Sequence, residues 1–107
     1  MDEMTDSAEP RFELSTIEPD TSVVAVYGEV DQSNAHLLRE SLASALQSGK
    51  TRLVINGAGI RFLDSSGIAA LLEARGRVAS LVIVDAPHAV RRLIDVTGLG
   101  EVMVVEP

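Results

Sequence analysis

A carboxylate and two adjacent hydroxyl groups stand together in the stretch Leu63-Asp64-Ser65-Ser66-Gly67. A strand-like apolar pattern precedes this stretch and an amphipathic helical pattern follows it, which places the serines at the start of a helix. The first N–H groups of a helix are unpaired and its dipole is positive there, so a phosphate on either serine can be accommodated. A simpler interpretation is that Ser65 or Ser66 only caps the helix, while Gly67 gives room for close packing.

Catalysis by one of these serines would need a neighbouring base. His36 and His88 are the only histidines, and both fall at predicted helix starts, where histidines are commonly exposed. The G-x-S-x-G sequence of a nucleophile elbow is missing, and Gly57-Ala58-Gly59 lacks the third glycine and the lysine of phosphate-binding loops. The histidines also lack metal-ligand spacing. The sequence therefore predicts a protein that is not an enzyme and has no cofactor or metal; a Ser-His-Asp hydrolase is the enzymatic alternative.

Length, charge and composition indicate how many domains the protein has and which kinds of partner it can bind. The 107 residues suit one small domain, and four of the sixteen acidic residues lie within the first ten. This pattern predicts a flexible acidic leader over residues 1–10 and a single domain over residues 11–107. No basic patch with interleaved aromatic residues is present, which argues against direct binding to nucleic acid. The sequence has neither a membrane-length apolar run nor a secretory signal, and it has no cysteine, which together favour the cytoplasm and no membrane partner.

Short apolar runs alternate with stretches of helical period along the rest of the chain. They predict strands over residues 12–17, 23–27, 52–56, 81–84 and 102–105, and helices over residues 33–47, 66–77 and 87–97. We expect Asp31 or Ser33 to cap the first helix, residues 57–59 to form a loop, and Gly98 to follow the last helix. The order β-β-α-β-α-β-α-β predicts an α/β fold, in which a mixed, mostly parallel sheet packs against amphipathic helices. The first two strands should be antiparallel.

Three stretches resemble the STAS domains of bacterial anti-sigma factor antagonists. Residues 64–68, preceded by Phe62-Leu63 and followed by Leu71-Leu72, are similar to the signature of that family. Residues 28–31, Gly-Glu-Val-Asp, resemble its turn after the second strand, and residues 87–99 resemble its third-helix segment. The resemblance covers about residues 12–105 and implies the STAS fold.

The sequence departs from the family pattern at three places. The stretch between Gly67 and Ala89 is about four residues shorter than usual, and residues 77–80 replace the usual Gly-Gly. Family members usually carry a C-terminal helix, but the sequence reaches Pro107 just after the last predicted strand, so either this member lacks the helix or the sequence stops before it. The shortened stretch is expected to alter the surface beside Ser65, and with it the choice of partner.

The resemblance implies a regulatory function. In that family, the serine directly after the aspartate is phosphorylated by an anti-sigma factor with a kinase fold, and Ser65 occupies this position. The implied protein binds a kinase-type anti-sigma factor when unphosphorylated, regulates sigma-factor-dependent transcription, is switched off at Ser65, and is reset by a PP2C-like phosphatase. The implied partner-binding residues are Asp31, Ser33, Asn34, Asp64, Ser65, Ser66, Gly67 and Ile68. The alternative function is a non-phosphorylated STAS scaffold or interaction module in a transporter or a larger signalling assembly.

Overall fold

A computed structural model describes residues 9–47, 49–101 and 103–106. The strands are β1 (Arg11–Glu18), β2 (Thr21–Val30), β3 (Arg52–Leu63), β4 (Ser80–Val84) and β5 (Val104–Glu106). The helices are α1 (Ala35–Ala45), α2 (Ser65–Arg75) and α3 (His88–Val96), and a 3₁₀ turn, Leu99–Glu101, follows α3. Most of the predicted acidic leader lies outside the described residues.

The five strands form one sheet in the order β1-β2-β3-β4-β5. β1 pairs with β2 in the antiparallel direction, and the three remaining pairs are parallel. The predicted α/β class, the element order and the antiparallel first pair are therefore confirmed.

The order of the strands determines where the helices lie. Strands β2 to β5 follow one another across the sheet in chain order, and each parallel pair is joined through a helix. Because such crossovers are right-handed, all three helices fall on the same face of the sheet. Burial agrees, since Val24, Ile55 and Ile83 of three neighbouring strands are almost completely buried in the common core. The described chain is thus a two-layer domain with a second sheet face that no described helix covers.

The prediction of a loop over residues 57–59 is wrong, because β3 continues without interruption from Arg52 to Leu63. The ring of Tyr27 on β2 lies directly against Gly59, where any added Cβ atom would overlap the ring. The β2–β3 register also shifts twice in this region. Here the glycines serve a bulged strand and a close side-chain approach instead of a turn.

Candidate functional site

The three helices begin at one edge of the sheet, at the carboxyl ends of β2, β3 and β4. The predicted serine cluster lies at this edge, where β3 passes into α2. The Asp64 N–H donates to the carbonyl of Val30 at 3.2 Å, which ties the start of α2 to the end of β2. Asp31, Gln32, Ser33 and Asp64 line one open depression, so the structure brings together the two loops that the sequence singled out.

Asp64, not either serine, caps α2. Its backbone is extended, and its Oδ1 atom accepts hydrogen bonds from the N–H groups of Ser66 at 2.8 Å and Gly67 at 3.3 Å. The interpretation of Ser65 or Ser66 as the cap is therefore wrong by one or two positions. The short carboxylate reaches the amides two and three residues ahead, which is the usual geometry of an aspartate cap.

Ser65 is the first residue of α2 and is exposed, whereas Ser66 is half-buried. Within residues 9–47, 49–101 and 103–106, no hydrogen bond occupies the Ser65 hydroxyl. The sequence suggested that unpaired helix amides would receive a phosphate, but Asp64 already holds two of them. A phosphate on Ser65 would therefore project outward, beside the carboxylate that caps the helix.

Asn34 and Asp31 organise the loop between β2 and α1. The Asn34 amide accepts from the Asp31 N–H at 2.9 Å and donates to the carbonyl of Glu29 at 3.0 Å, so one side chain clamps the whole turn. The Asp31 carboxylate accepts from the Ser33 N–H at 2.9 Å and from its hydroxyl at 2.6 Å. Neither Asp31 nor Ser33 caps α1 with its side chain. Asn34 occupies the cap position but makes no side-chain cap bond, and the Asp31 backbone carbonyl accepts from the first helical amide at 2.9 Å.

The hydrogen bonds from Ser33 lower the pKa of Asp31 below its ordinary value. The bond from the hydroxyl is the larger cause and the bond from the backbone N–H adds to it. Hydrogen bonds to the ionised form favour that form. Asp31 is therefore a stable negative charge in the same depression as Asp64.

Gly67 and Ile68 differ from the other predicted site residues because both are buried. A Cβ atom at Gly67 would overlap the side chain of Leu63 and press on Val30. Gly28, at the start of the second motif, has a φ of +93°, and its missing Cβ leaves room for the carbonyl of Glu9. Gly28, Gly67 and Ile68 therefore support the site from the core side, and their buried atoms form no part of its exposed surface in this conformation.

The sequence did not predict an apolar groove between the end of β3 and α3. Phe62, at the end of β3, is 50% exposed although it is one of only two phenylalanines in the chain. The groove is lined by Ile60, Arg61, Phe62, Leu63, Pro87, Ala89, Val90 and Leu93. The apolar pair Phe62-Leu63, directly before Asp64, could have predicted the groove. Only one of two adjacent strand residues can face the core, so the other apolar side chain must lie at the surface.

The two histidines and the acidic residues are the other groups that the sequence analysis considered for chemistry. His36 and His88 are exposed, and neither makes a hydrogen bond to Ser65 within the described residues. The described residues contain no group of three or more potential metal ligands. No helix in the described part of the chain has the length and apolar character needed to cross a membrane.

Comparison with known proteins shows the family to which this chain belongs. The family model described as "Mlab, STAS domain" matches residues 14–106. The anti-sigma-F factor antagonist RsfA of Mycobacterium tuberculosis is 30% identical over 101 residues, which cover 87% of this chain and 79% of RsfA. An anti-sigma F factor antagonist of Lysinibacillus sphaericus is 26% identical over 94 residues, covering 83% of this chain and 80% of that protein.

Solved structures agree with the sequence relatives. The crystal structure of an anti-sigma factor antagonist from Mycobacterium paratuberculosis superimposes with a TM-score of 0.83 at 25% identity, covering 92% of this chain and 86% of that one. The anti-sigma factor antagonist SpoIIAA in its unphosphorylated form gives a TM-score of 0.72 at 25% identity, covering 89% of this chain and 87% of that one.

Proposed function

Because this chain belongs to the STAS domain family of anti-sigma factor antagonists, we propose that Ser65 is the phosphorylation site that switches its binding to an anti-sigma factor. The observation that carries the proposal is the exposed Ser65 hydroxyl, which no described hydrogen bond occupies, directly after the capping Asp64. A kinase needs a hydroxyl that its active site can reach and that no internal bond holds back.

The proposed partner is a kinase-type anti-sigma factor that docks over the depression lined by Asp31, Gln32, Ser33 and Asp64, whose loop the Asn34 side chain holds in place. Gly67 and Ile68 support this surface from the core side. Binding by the unmodified chain would withdraw the anti-sigma factor and free a sigma factor for transcription. In the reaction, Ser65 Oγ forms a bond to the γ-phosphorus of the partner's ATP, ADP leaves, and the hydroxyl proton passes to a base of the partner. A PP2C-like phosphatase would hydrolyse the phosphate, and all of these steps are proposed for the cytoplasm.

The proposed switch is electrostatic and local. A phosphate adds roughly −1.5 to −2 charges at neutral pH. It would stand beside Asp64, whose carboxylate already holds the helix amides, and near Asp31, whose pKa is lowered by Ser33. An interface that removes water from three neighbouring negative groups is strongly disfavoured. A coupling of about 1–3 kcal/mol, or roughly 5- to 150-fold in affinity, is typical of such regulation and needs no refolding.

The first test locates the phosphate. The chain is incubated with a kinase-type anti-sigma factor and ATP, and the modified residue is identified by mass spectrometry. We expect one phosphate on Ser65 and none in the Ser65→Ala variant. Ser15→Ala is the matched control, because Ser15 is an exposed serine on β1, outside the proposed docking surface, and its loss should leave the modification intact. A phosphate on another serine would refute the assignment.

The second test isolates the charge. Ser65→Asp and Ser65→Asn introduce side chains of nearly the same size that differ in charge. We expect the aspartate variant to bind the anti-sigma factor at least about fivefold more weakly than the asparagine variant. Equal affinities would show that charge at this position is not the switch. Strong binding with no phosphorylation would favour the non-phosphorylated scaffold instead.

A further inference from the structure

One peptide group connects the loop after β2 to the start of α2. The peptide between Val30 and Asp31 donates its N–H, which belongs to Asp31, to Oδ1 of Asn34 at 2.9 Å. The carbonyl of the same peptide, which belongs to Val30, accepts the N–H of Asp64 at 3.2 Å. A peptide group is planar, so the direction of its N–H also sets the direction of its carbonyl. The Asn34 side chain therefore orients the carbonyl that holds the residue before Ser65.

The other end of the Asn34 amide strengthens this control. Its Nδ2 atom donates to the carbonyl of Glu29 at 3.0 Å, so the peptide groups on both sides of Val30 are bonded to a single side chain. An asparagine amide offers an acceptor oxygen and a donor nitrogen at a fixed separation, which suits one backbone N–H and one backbone carbonyl. A side chain that has only an acceptor can make only one of the two bonds.

Asn34 lies behind the depression and not on it. The side chains that line the depression belong to Asp31, Gln32, Ser33 and Asp64. Asn34 is half-buried, and both polar ends of its side chain are bonded to the backbone of its own loop. Any effect of Asn34 on a partner is therefore exerted through the loop.

We infer that Asn34 is a positioning residue, which holds the loop from Asp31 to Ser33 and the start of α2 in the arrangement to which an anti-sigma factor docks. The inference rests on the proposed docking surface. Without the Asn34 side chain the loop adopts other orientations in the free protein, so only a fraction of the molecules is ready to bind. The apparent dissociation constant rises by the inverse of that fraction. Once the partner has docked, the loop is the same in both proteins, so phosphate transfer at saturation should change little.

Asn34→Ala removes both bonds, and Asn56→Ala is its matched control. Asn56 is the other asparagine of the chain, and it is also half-buried. Its Oδ1 atom accepts from a backbone N–H, that of Ala58, at 3.0 Å, but it lies on β3 and outside the depression. The start of α1 should survive in Asn34→Ala, because the Asp31 carbonyl still accepts from the N–H groups of residues 34 and 35 at 3.1 and 2.9 Å. Both variants should therefore keep the wild-type circular dichroism.

Amide hydrogen exchange, followed by NMR without any partner, tests the coupling between the loop and α2. In Asn34→Ala, the amides of Asp31 and Asp64 should exchange at least about threefold faster than in the wild type, because their hydrogen bonds are lost or weakened. Asn34→Asp keeps an acceptor oxygen, so the Asp31 amide should stay protected in that variant. Asn56→Ala should leave both amides unchanged. Wild-type exchange at Asp64 in Asn34→Ala would overturn the inference.

Steady-state kinetics with a kinase-type anti-sigma factor and ATP test the consequence for docking. We expect Asn34→Ala to raise the KM for this chain at least about fivefold, since two hydrogen bonds that hold the loop are lost, and to keep kcat within about twofold of the wild type. Asn56→Ala should have the wild-type KM. A lowered kcat at an unchanged KM, or an equal rise in KM for Asn56→Ala, would overturn the positioning role.

Binding measured without ATP separates this inference from the proposed phosphorylation of Ser65. If the wild type binds but is never phosphorylated, while Asn34→Ala binds more weakly, the role of Ser65 is wrong and the positioning role of Asn34 stands. If the wild type is phosphorylated on Ser65 and Asn34→Ala binds equally well, the positioning role is wrong and the role of Ser65 stands. A wild-type chain that does not bind the anti-sigma factor would refute both.

Discussion

Removal of the Asp64 side chain gives the sharpest test of the site geometry. Asp64→Ala deletes the acceptor of the bonds from Ser66 and Gly67, at 2.8 and 3.3 Å, and leaves two helix amides unpaired. Loss of an aspartate cap costs about 1 kcal/mol, and loss of a carboxylate at the positive end of the dipole adds about 0.3–1 kcal/mol. The free energy of unfolding should therefore fall by about 1–2 kcal/mol. Each kcal/mol lowers the melting temperature of a domain of this size by about 4–8 °C.

Two companion variants divide this effect into its parts. Asp64→Asn keeps an acceptor oxygen and removes only the charge, so it should lose about 0.3–1 kcal/mol. Ser65→Ala removes an exposed hydroxyl that no described bond uses, so its stability should stay within about 0.5 kcal/mol of the wild type. Urea unfolding followed by circular dichroism measures all three. A stable Asp64→Ala protein together with a destabilised Ser65→Ala protein would refute the assignment of Asp64 as the cap.

Two further variants test the packing and the charge of the same surface. Gly67→Ala should lower the free energy of unfolding measured in urea. The overlap of the new methyl group with Leu63 costs about 1–3 kcal/mol, whereas the gain in helix propensity is at most about 1 kcal/mol. Gly76→Ala is the control and should be neutral or stabilising, because its new methyl group meets only ordinary contacts and Gly76 has a φ of −69°. Ser33→Ala should raise the pKa of Asp31 toward its ordinary value in an NMR titration, because the hydroxyl that stabilises the ionised form is lost. A carboxyl group whose pKa is lower in the folded than in the unfolded protein stabilises the fold at pH values above its unfolded pKa, and this stabilisation is lost as the pH falls through its folded pKa. Ser33→Ala should therefore lose less stability on acidification than the wild type. An unchanged pKa of Asp31 would contradict the stated cause.

Burial patterns explain why most of the fold could be predicted from the sequence. In the predicted helix over residues 33–47, three- and four-residue steps place Ala35, Leu38, Leu42, Ala45 and Leu46 on one face. The first four of these are the buried residues of α1. This pattern is set by which side chains leave water, so it is visible without coordinates. Leu81 and Ile83 of β4 alternate in burial with Val82 and Val84. All four residues are apolar, so the sequence does not show that only one face of this strand is covered.

The errors arose where a tertiary contact overrides a local signal. Gly57 and Gly59 look like a turn, but the Tyr27 ring from the neighbouring strand lies on Gly59 and β3 runs on. The cap of α2 was misplaced because three consecutive residues, Asp64 to Ser66, can all cap a helix, and the choice depends on where the helix begins. Helix ends are uncertain by one or two residues in any such prediction. The clamp made by Asn34 was invisible for a similar reason, since it depends on a carbonyl five residues earlier.

The order of the strands determines where the proposed site lies on the sheet. Doubly wound sheets bind ligands at the point where strand order reverses, but this sheet has no reversal among its parallel strands. Instead, all three helix starts gather at one edge, and Ser65 stands there beside the loop from Asp31 to Asn34. The same uninterrupted order leaves the opposite face of the sheet without a helix from the described residues.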